Sequence, residues 1–317
     1  MSFTLPFAPR RIVIGANAHA ELSAWVVERR ADLQIRGNRM AAITQDDMDW
    51  GEAYVGFRRP PGAATLGGVR WVHCTGAGVD AWMQPEIDRA VLLTRTPESF
   101  GPAIAEWAVA RVLAFQQQLL DVSRAQAERR WAPRDIPPVA GTRALLVGTG
   151  DVGRAIARQF AALGLAVTGV SRTGRSDEPS FAAVYPVSAL PHLVAHADWI
   201  VLTLPITPVT RGMFSRAIME RCRGAVLLNA GRGAVVEERT LAEALDKGWL
   251  RGAALDVFET EPLPEVSPLW HHPRVMISPH ISGLTTTQGA GRGFLECLGE
   301  LESGRLPTWS VDRVRGY

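Results

Sequence analysis

The 317-residue sequence predicts an α/β protein of two domains, each a doubly wound parallel sheet, with an active-site cleft between them. Three observations carry this expectation. Short apolar, β-branched runs alternate with helical stretches along most of the chain, the pattern of parallel strands covered on both faces by helices. A long helical stretch and a proline-rich loop, WAPRDIPPVAG (131–141), separate a first set of such units from a second. A glycine-rich turn, GTGDVG (148–153), then sits between a strand and a helix.

The elements follow in order. RIVIGA (11–16) is an apolar run ending in glycine and reads as a buried strand, and ELSAWVVERR (21–30) has helical spacing. EAYVGF (52–57), VRWVHC (69–74) and RAVLLTR (89–95) are further strands. From Gly101 to about Arg129 the chain reads as one helix, with no Gly or Pro after Pro102, whose start is the linker into the second domain. Beyond the proline-rich loop, strands are expected in ALLVG, AVTGV, DWIVLTL, AVLLNA, AALDV and VMISP, and helices in VGRAIARQFAALG and LAEALDKG. The tail QGAGRGFLECLGELESG is a helix long enough to return to the first domain. The expected domains are therefore residues 1–97 with 284–317, and residues 98–283.

Composition narrows the function classes. Apolar content of 47% and charged content of 21% are those of an ordinary globular protein. A net charge of +2 gives no reason to expect a nucleic acid or an acidic membrane as partner. No uncharged stretch approaches the ~20 residues of a membrane helix, and MSFTLPFAPRR has no apolar run of the signal-peptide kind. The three cysteines, Cys74, Cys222 and Cys297, are widely separated and odd in number, which suits reduced thiols in a cytoplasmic protein. No His or Cys spacing fits a metal site. Of 34 basic residues only Lys247 is lysine, so arginine is the background cation.

GTGDVG follows the strand ALLV and opens a helix, the context in which G-x-G-x-x-G binds a dinucleotide. Gly148 permits the tight turn, Gly150 lets the backbone approach a pyrophosphate, and Gly153 lets helix pack on strand. Asp151 and Val152 complete the loop, and the helix N-terminus offers free N–H groups to the phosphates. This makes the second domain Rossmann-like. An NAD-binding fold places an acid ~20 residues further on, at the end of the next strand, to bind the ribose hydroxyls. Here, eighteen residues beyond Gly153, the chain has Ser171, Arg172 and Arg175 instead. Two arginines in a four-residue window arise by chance about one time in eighteen at this arginine content, so the missing acid is the stronger signal. A carboxylate would repel a 2′-phosphate. Together these point to NADP, with NAD as the alternative.

Three later segments place polar residues after successive strands: Arg232 in NAGRG (229–233), Asp256, Glu259 and Glu261 in LDVFETEPLP (255–264), and His280 in SPHISG (278–283). Ligands of open α/β sheets bind at strand carboxyl ends, so these segments are expected to line one site. Singly, each has a plain structural reading as a surface turn, a solvated acid and a core histidine. The arrangement as a set points to chemistry. His271 and His272 lie in a proline-flanked loop, are expected nearer solvent, and are taken as bystanders.

These motifs, with GAGVD (76–80), LPITPVTRGMF (204–214), NAGRGAVVEE (229–238) and SPLW (267–270), give a chain that resembles the D-2-hydroxyacid dehydrogenase family over nearly its whole length. It is most similar to the glyoxylate/hydroxypyruvate reductase-like branch. The resemblance implies hydride transfer between NADP(H) and a small 2-keto or D-2-hydroxy acid. Arg232 would bind the substrate carboxylate and polarise the keto oxygen. His280 would be the acid in reduction and the base in oxidation, and Glu261 would fix its tautomer and keep it protonated for donation. Backbone N–H groups of Ala77 and Gly78 would grip the carboxylate, Asp256 would contact the nicotinamide carboxamide, and Pro205 would join the cofactor contacts. Phe57, Arg58, Arg59, Trp82 and Leu284 would line the substrate side-chain pocket. Family members are usually homodimers through the cofactor domain, so the resemblance implies a homodimer, to which the arm around Trp131 would contribute. The alternatives are a dinucleotide-binding corepressor of the same fold and phosphite dehydrogenase.

Overall fold

The computed structural model describes residues 3–76, 78–84, 87–96 and 100–313. The chain divides into two compact units, Met1–Glu98 with Thr285–Tyr317, and Ser99–Leu284.

The first unit comprises β1 (Arg11–Gly15), α1 (His19–Arg29), β2 (Gln34–Asn38), α2 (Gln45–Trp50), β3 (Ala53–Gly56), β4 (Trp71–Cys74) and β5 (Leu92–Arg95). Its five strands are all parallel, in the order β2-β1-β3-β4-β5. Isoleucine, valine and tryptophan fill the inner strands because both faces are covered. β2, QIRGN, lies at the edge and is largely exposed, so it lacks the apolar pattern by which the other strands are read.

The second unit begins with α3 (Gly101–Gln116) and α4 (Leu119–Ala127), and continues with β6 (Arg143–Val147), α5 (Asp151–Ala162), β7 (Ala166–Ser171), β8 (Ala183–Pro186), α6 (Leu190–Leu193), β9 (Trp199–Leu202), α7 (Arg216–Met219), β10 (Ala225–Asn229), α8 (Glu238–Asp246), β11 (Leu250–Leu255) and β12 (Val275–Ile277). Its strands are also parallel, in the order β12-β11-β10-β9-β6-β7-β8. The order reverses between β6 and β9, the switch point at which doubly wound sheets hold ligands. The last helix, α9 (Thr287–Glu302), belongs to the first unit, where Phe294, Cys297, Leu298 and Leu301 pack with residues of β1, β3 and β4.

The single helix expected over 101–129 is two. Gln118 adopts a left-handed conformation (φ 51°) and separates α3 from α4. The cause is tertiary. Gln116 donates to the Pro137 carbonyl at 2.7 Å, and Gln118 donates to the Asp135 carbonyl at 3.3 Å and accepts from Arg134 at 2.8 Å. These bonds to the proline-rich loop offset the backbone strain of a non-glycine left-handed residue.

β4 carries a buried polar device. His73 is fully buried, with Nδ1 2.9 Å from Thr94 Oγ1 and Nε2 3.3 Å from Thr96 Oγ1. Burial pushes its imidazole down to about 3. Unfolded, the same group titrates near ~6.5. Between these values the unfolded chain binds the extra proton, so stability is retained above ~6.5 and falls as pH drops below it. From pH 7 to 5 this one group should lower the stability of the first unit by about 2 kcal/mol. Native-state hydrogen exchange at β4 amides, corrected for intrinsic rates, should show this loss in the wild type and not in His73→Gln. Equal pH dependence in the two proteins would contradict it.

Candidate active site

The chemistry-bearing residues of the second unit stand where its strands end. Gly148 follows β6 with φ +111°, and a side chain there would meet Thr203 Oγ1 at 2.5 Å. At Gly153, in the first turn of α5, a Cβ would lie 2.1 Å from the Gly148 carbonyl oxygen. Both positions therefore exclude any larger residue, and the turn and helix lock together. Gly150 faces open space, because a Cβ at that position would meet no atom within 4 Å. No side-chain hydrogen bond caps α5 at Gly150, and the start of a helix carries N–H groups that the helix itself does not use. Asp151 is exposed at the first helical position, and Val152 packs against the core around α3 and α5. The loop thus has the shape and the donors a pyrophosphate requires.

Ser171 ends β7. Its hydroxyl accepts from the Arg175 N–H and lies 3.2 Å from the Arg175 carbonyl, closing a short turn in which Gly174 has φ +66°. Arg172 and Arg175 are exposed on this turn and form no ion pair among the described residues. The turn is tethered from behind. Arg154 and Arg158 of α5 pair with Asp177 and Glu178, each at 2.5 Å. Burial would push Glu178 up, but Ser180 and Arg158 hold its carboxyl below the ordinary range. Both acids that follow the arginines are thus engaged with α5. Pro205 follows β9, is exposed, and accepts the Thr210 hydroxyl at 2.7 Å.

Arg232 follows β10 on a turn built by Asn229. The Asn229 side chain accepts the Gly231 N–H at 3.1 Å and donates to the Arg232 carbonyl at 3.1 Å. The sequence reading does not single out Asn229, although Asn two residues before a glycine is an Asx-turn signal. Gly233 brings this turn against the next loop: a Cβ there would sit 1.8 Å from the Phe258 carbonyl carbon. Glu261 lies on that same loop, with one oxygen accepting the Phe258 N–H at 3.0 Å.

His280 follows β12. Its Nδ1 is 2.8 Å from the other Glu261 oxygen, and both side chains are roughly a third exposed. Partial burial would raise the Glu261 carboxyl, but His280, the Phe258 N–H and the charge of Arg232 outweigh it and hold the group below its ordinary value. An ionised carboxylate only accepts, so Nδ1 is the donor and Nε2 is directed to other chemistry. Of the acids on this loop, Glu261 meets His280, whereas the Glu259 N–H is taken by Glu238. The structure thus joins Glu261 to His280 by a direct bond and sets Arg232 on the adjoining turn.

Other expected residues are placed differently. Asp256 is 0% exposed, and its carboxylate accepts from the Ser278 hydroxyl and the Ile281 and Ser282 N–H groups at 2.6, 3.0 and 2.9 Å. The expected contact with a nicotinamide carboxamide does not follow from this arrangement, because the side chain faces its own chain. Trp82 is fully buried in the first unit against Tyr54, with ring centroids 5.6 Å apart, so it lines no open pocket. Of its neighbours in that expectation, Phe57 beside Gly76, Arg58 and Leu284 are exposed, and Arg59 is partly buried. His272 is not near solvent: it is mostly buried, 3.5 Å from Asp246, and its Nδ1 accepts the Arg274 N–H at the far end of β12. Gly78 lies in the first unit, where its carbonyl accepts the Cys74 thiol at 3.4 Å, and Ala77 lies outside the described residues. Among the described residues no cluster of three His, Cys, Asp or Glu could hold a metal ion, and no helix is long and apolar enough to cross a membrane.

Comparison with known proteins identifies the family and the fold. Residues 109–282 match the family model described as D-isomer specific 2-hydroxyacid dehydrogenase, NAD binding domain. A glyoxylate/hydroxypyruvate reductase A of Serratia proteamaculans is 32% identical over 271 residues, covering 82% of this chain and 86% of that protein. A D-isomer specific 2-hydroxyacid dehydrogenase from Xanthobacter autotrophicus Py2, solved with NADPH and MES, superposes with a TM-score of 0.88 at 29% identity, covering 98% of this chain and all of the other. An NADPH-dependent glyoxylate/hydroxypyruvate reductase from Sinorhizobium meliloti, solved with NADP and sulfate, gives a TM-score of 0.86 at 27% identity, covering 96% of this chain and 99% of the other. The chain belongs to the D-isomer specific 2-hydroxyacid dehydrogenase family.

Proposed function

We propose that this protein is an oxidoreductase that reduces small 2-keto acids of the glyoxylate and hydroxypyruvate class to D-2-hydroxy acids, using NADPH. The observation that carries the reading is the Glu261–His280 bond, beside Arg232, on the carboxyl edge of a sheet that also bears the dinucleotide turn. Relatives named glyoxylate/hydroxypyruvate reductase support it over the corepressor and phosphite dehydrogenase alternatives.

The roles follow from the donors. Arg232 offers a planar fork to the substrate carboxylate and a positive charge to the keto oxygen. His280 Nε2–H donates a proton to that oxygen as the carbonyl carbon is reduced, and accepts it back in the reverse direction. Glu261 holds the ring by Nδ1 and balances the imidazolium charge. Gly150 and the first turn of α5 would hold the pyrophosphate, and Ser171, Arg172 and Arg175 the adenosine end; NADPH so held supplies the hydride. Ala77 and Gly78 are assigned to the substrate carboxylate on the family resemblance. His280→Ala should lower kcat for glyoxylate reduction by ~10²–10⁴-fold with little change in NADPH affinity. Arg232→Lys, which keeps charge but loses the fork, should lower kcat/KM by at least ~10-fold. Near-wild-type turnover in either variant removes that residue from the mechanism.

The preference for NADP over NAD rests on the 171–175 turn. Its two arginines are exposed and unpaired with acids among the described residues, and the acids next to them are tied back to α5. Arg172→Ala/Arg175→Ala should raise KM for NADPH by roughly 10- to 100-fold, a range kept low because exposed charges are screened. KM for NADH should stay within about twofold, since NADH lacks the phosphate. Equal use of NADH and NADPH by the wild type would show these arginines to be background.

A second copy of the chain is the partner assigned to the arm after α4. Trp131 is 94% exposed, and a depression of about 510 Å³ lies against it, lined by Val122, Ala125 and Pro133 among others. Exposed apolar surface of this kind marks an interface. Light scattering should give twice the 34.4 kDa chain mass for the wild type and a shift to monomer for Trp131→Asp. A monomeric wild type would reject the dimer. The three buried free cysteines suit the reducing cytoplasm, the compartment assigned here.

A further inference from the structure

We propose that Trp107 is a positioning residue for His280, acting through a buried chain formed with Ser278 and Asp256. The proposal rests on the assignment of His280 as the acid.

His280 has φ 54°, a left-handed conformation that a residue with a side chain adopts only when its surroundings fix it. Asp256 does the fixing. Its backbone carbonyl accepts the His280 N–H at 2.8 Å, while its carboxylate holds the N–H groups of the next two residues, Ile281 and Ser282. A turn gripped at three consecutive N–H groups fixes the backbone position from which the imidazole reaches Glu261.

The carboxylate is itself held from α3. Trp107 Nε1 donates to Ser278 Oγ at 2.9 Å, and Ser278 Oγ donates to Asp256 at 2.6 Å. All three residues are buried. An indole N–H can only donate, whereas a serine hydroxyl both donates and accepts through a freely rotating proton. Trp107 therefore occupies a lone pair of Ser278 and leaves the hydroxyl proton to Asp256. Without Trp107 that proton loses its fixed direction. Without the Ser278 hydroxyl a buried carboxylate loses one of three donors, an arrangement that favours relaxation of the turn it holds. Trp107 lies 171 positions from Ser278, and Ser278 lies 22 from Asp256, so no local motif supplies the link.

The test compares Trp107→Phe, Ser278→Ala, Ser278→Thr and, as control, His280→Ala, each measured with glyoxylate and NADPH. Trp107→Phe and Ser278→Ala should lower kcat about five- to tenfold, the worth of one hydrogen bond, with NADPH affinity within about twofold of wild type. Ser278→Thr, which keeps the hydroxyl, should recover most of the loss. The Nδ1–H proton resonance of the His280–Glu261 pair, identified by its absence in His280→Ala, should shift in Trp107→Phe. A general loss of stability would not produce this split between kcat and cofactor affinity or its rescue by threonine. A Trp107→Phe protein with kcat within about twofold of wild type and an unmoved resonance overturns the proposal, whatever Ser278→Ala does. An active His280→Ala protein would instead overturn the catalytic role of His280, while the resonance would still report whether Trp107 positions the ring.

Discussion

The parallel direction of the seven-stranded sheet is the constraint on which the site depends. With every strand pointing the same way, the loops that leave β6, β7, β9, β10, β11 and β12 all emerge on one edge. Gly148, Ser171, Pro205, Arg232, Glu261 and His280 come from six segments of sequence, and the sheet delivers them to that edge. Direction alone brings loops near one another but does not fix their spacing. Close backbone approach does that: Gly148 against Thr203, Gly231 against Leu204, and Gly233 against Phe258 leave no room for a side chain. Each contact joins the loop of one strand to that of its neighbour, so the edge behaves as one surface.

On this surface the charges are arranged by what each can donate or accept. Glu261 stays ionised although partly buried, because His280, the Phe258 N–H and Arg232 supply more stabilisation than desolvation removes. Asp256 is more deeply buried and is satisfied wholly by its own chain. Two carboxylates that both follow β11 thus serve different ends, one facing the imidazole and the other building the turn that carries it. Burial and donor supply, which residue type alone does not specify, decide between those ends.

Much of the fold is legible in the sequence because buried parallel strands are near-continuous apolar runs, as in AVLL and WIVL. The edge strand β2, exposed and polar, has no such signature, nor does the partly exposed edge strand β8. The break at Gln118 is illegible for another reason: it has neither Gly nor Pro and is made by side-chain bonds to a loop some twenty residues away. At the candidate site, Arg232, Glu261 and His280 stand out as an arginine, an acid and a histidine after successive strands. The internal role of Asp256 does not, because it depends on donors 22 to 26 residues further along the chain and on an indole from α3. Trp82 misleads in the opposite way: nothing in its local sequence tells a core tryptophan from a pocket-lining one.

The central claim is that Arg232 and His280 act on one substrate, the first on its carboxylate and the second on its keto oxygen. A crystal structure with NADPH and oxamate, a non-reducible 2-keto acid mimic, tests this most directly. The carboxylate of oxamate should lie against the Arg232 guanidinium, and its keto-like oxygen should lie ~2.6–3.2 Å from His280 Nε2. Oxamate bound away from both residues, or with its carboxylate on His280 and nothing on Arg232, would contradict the account.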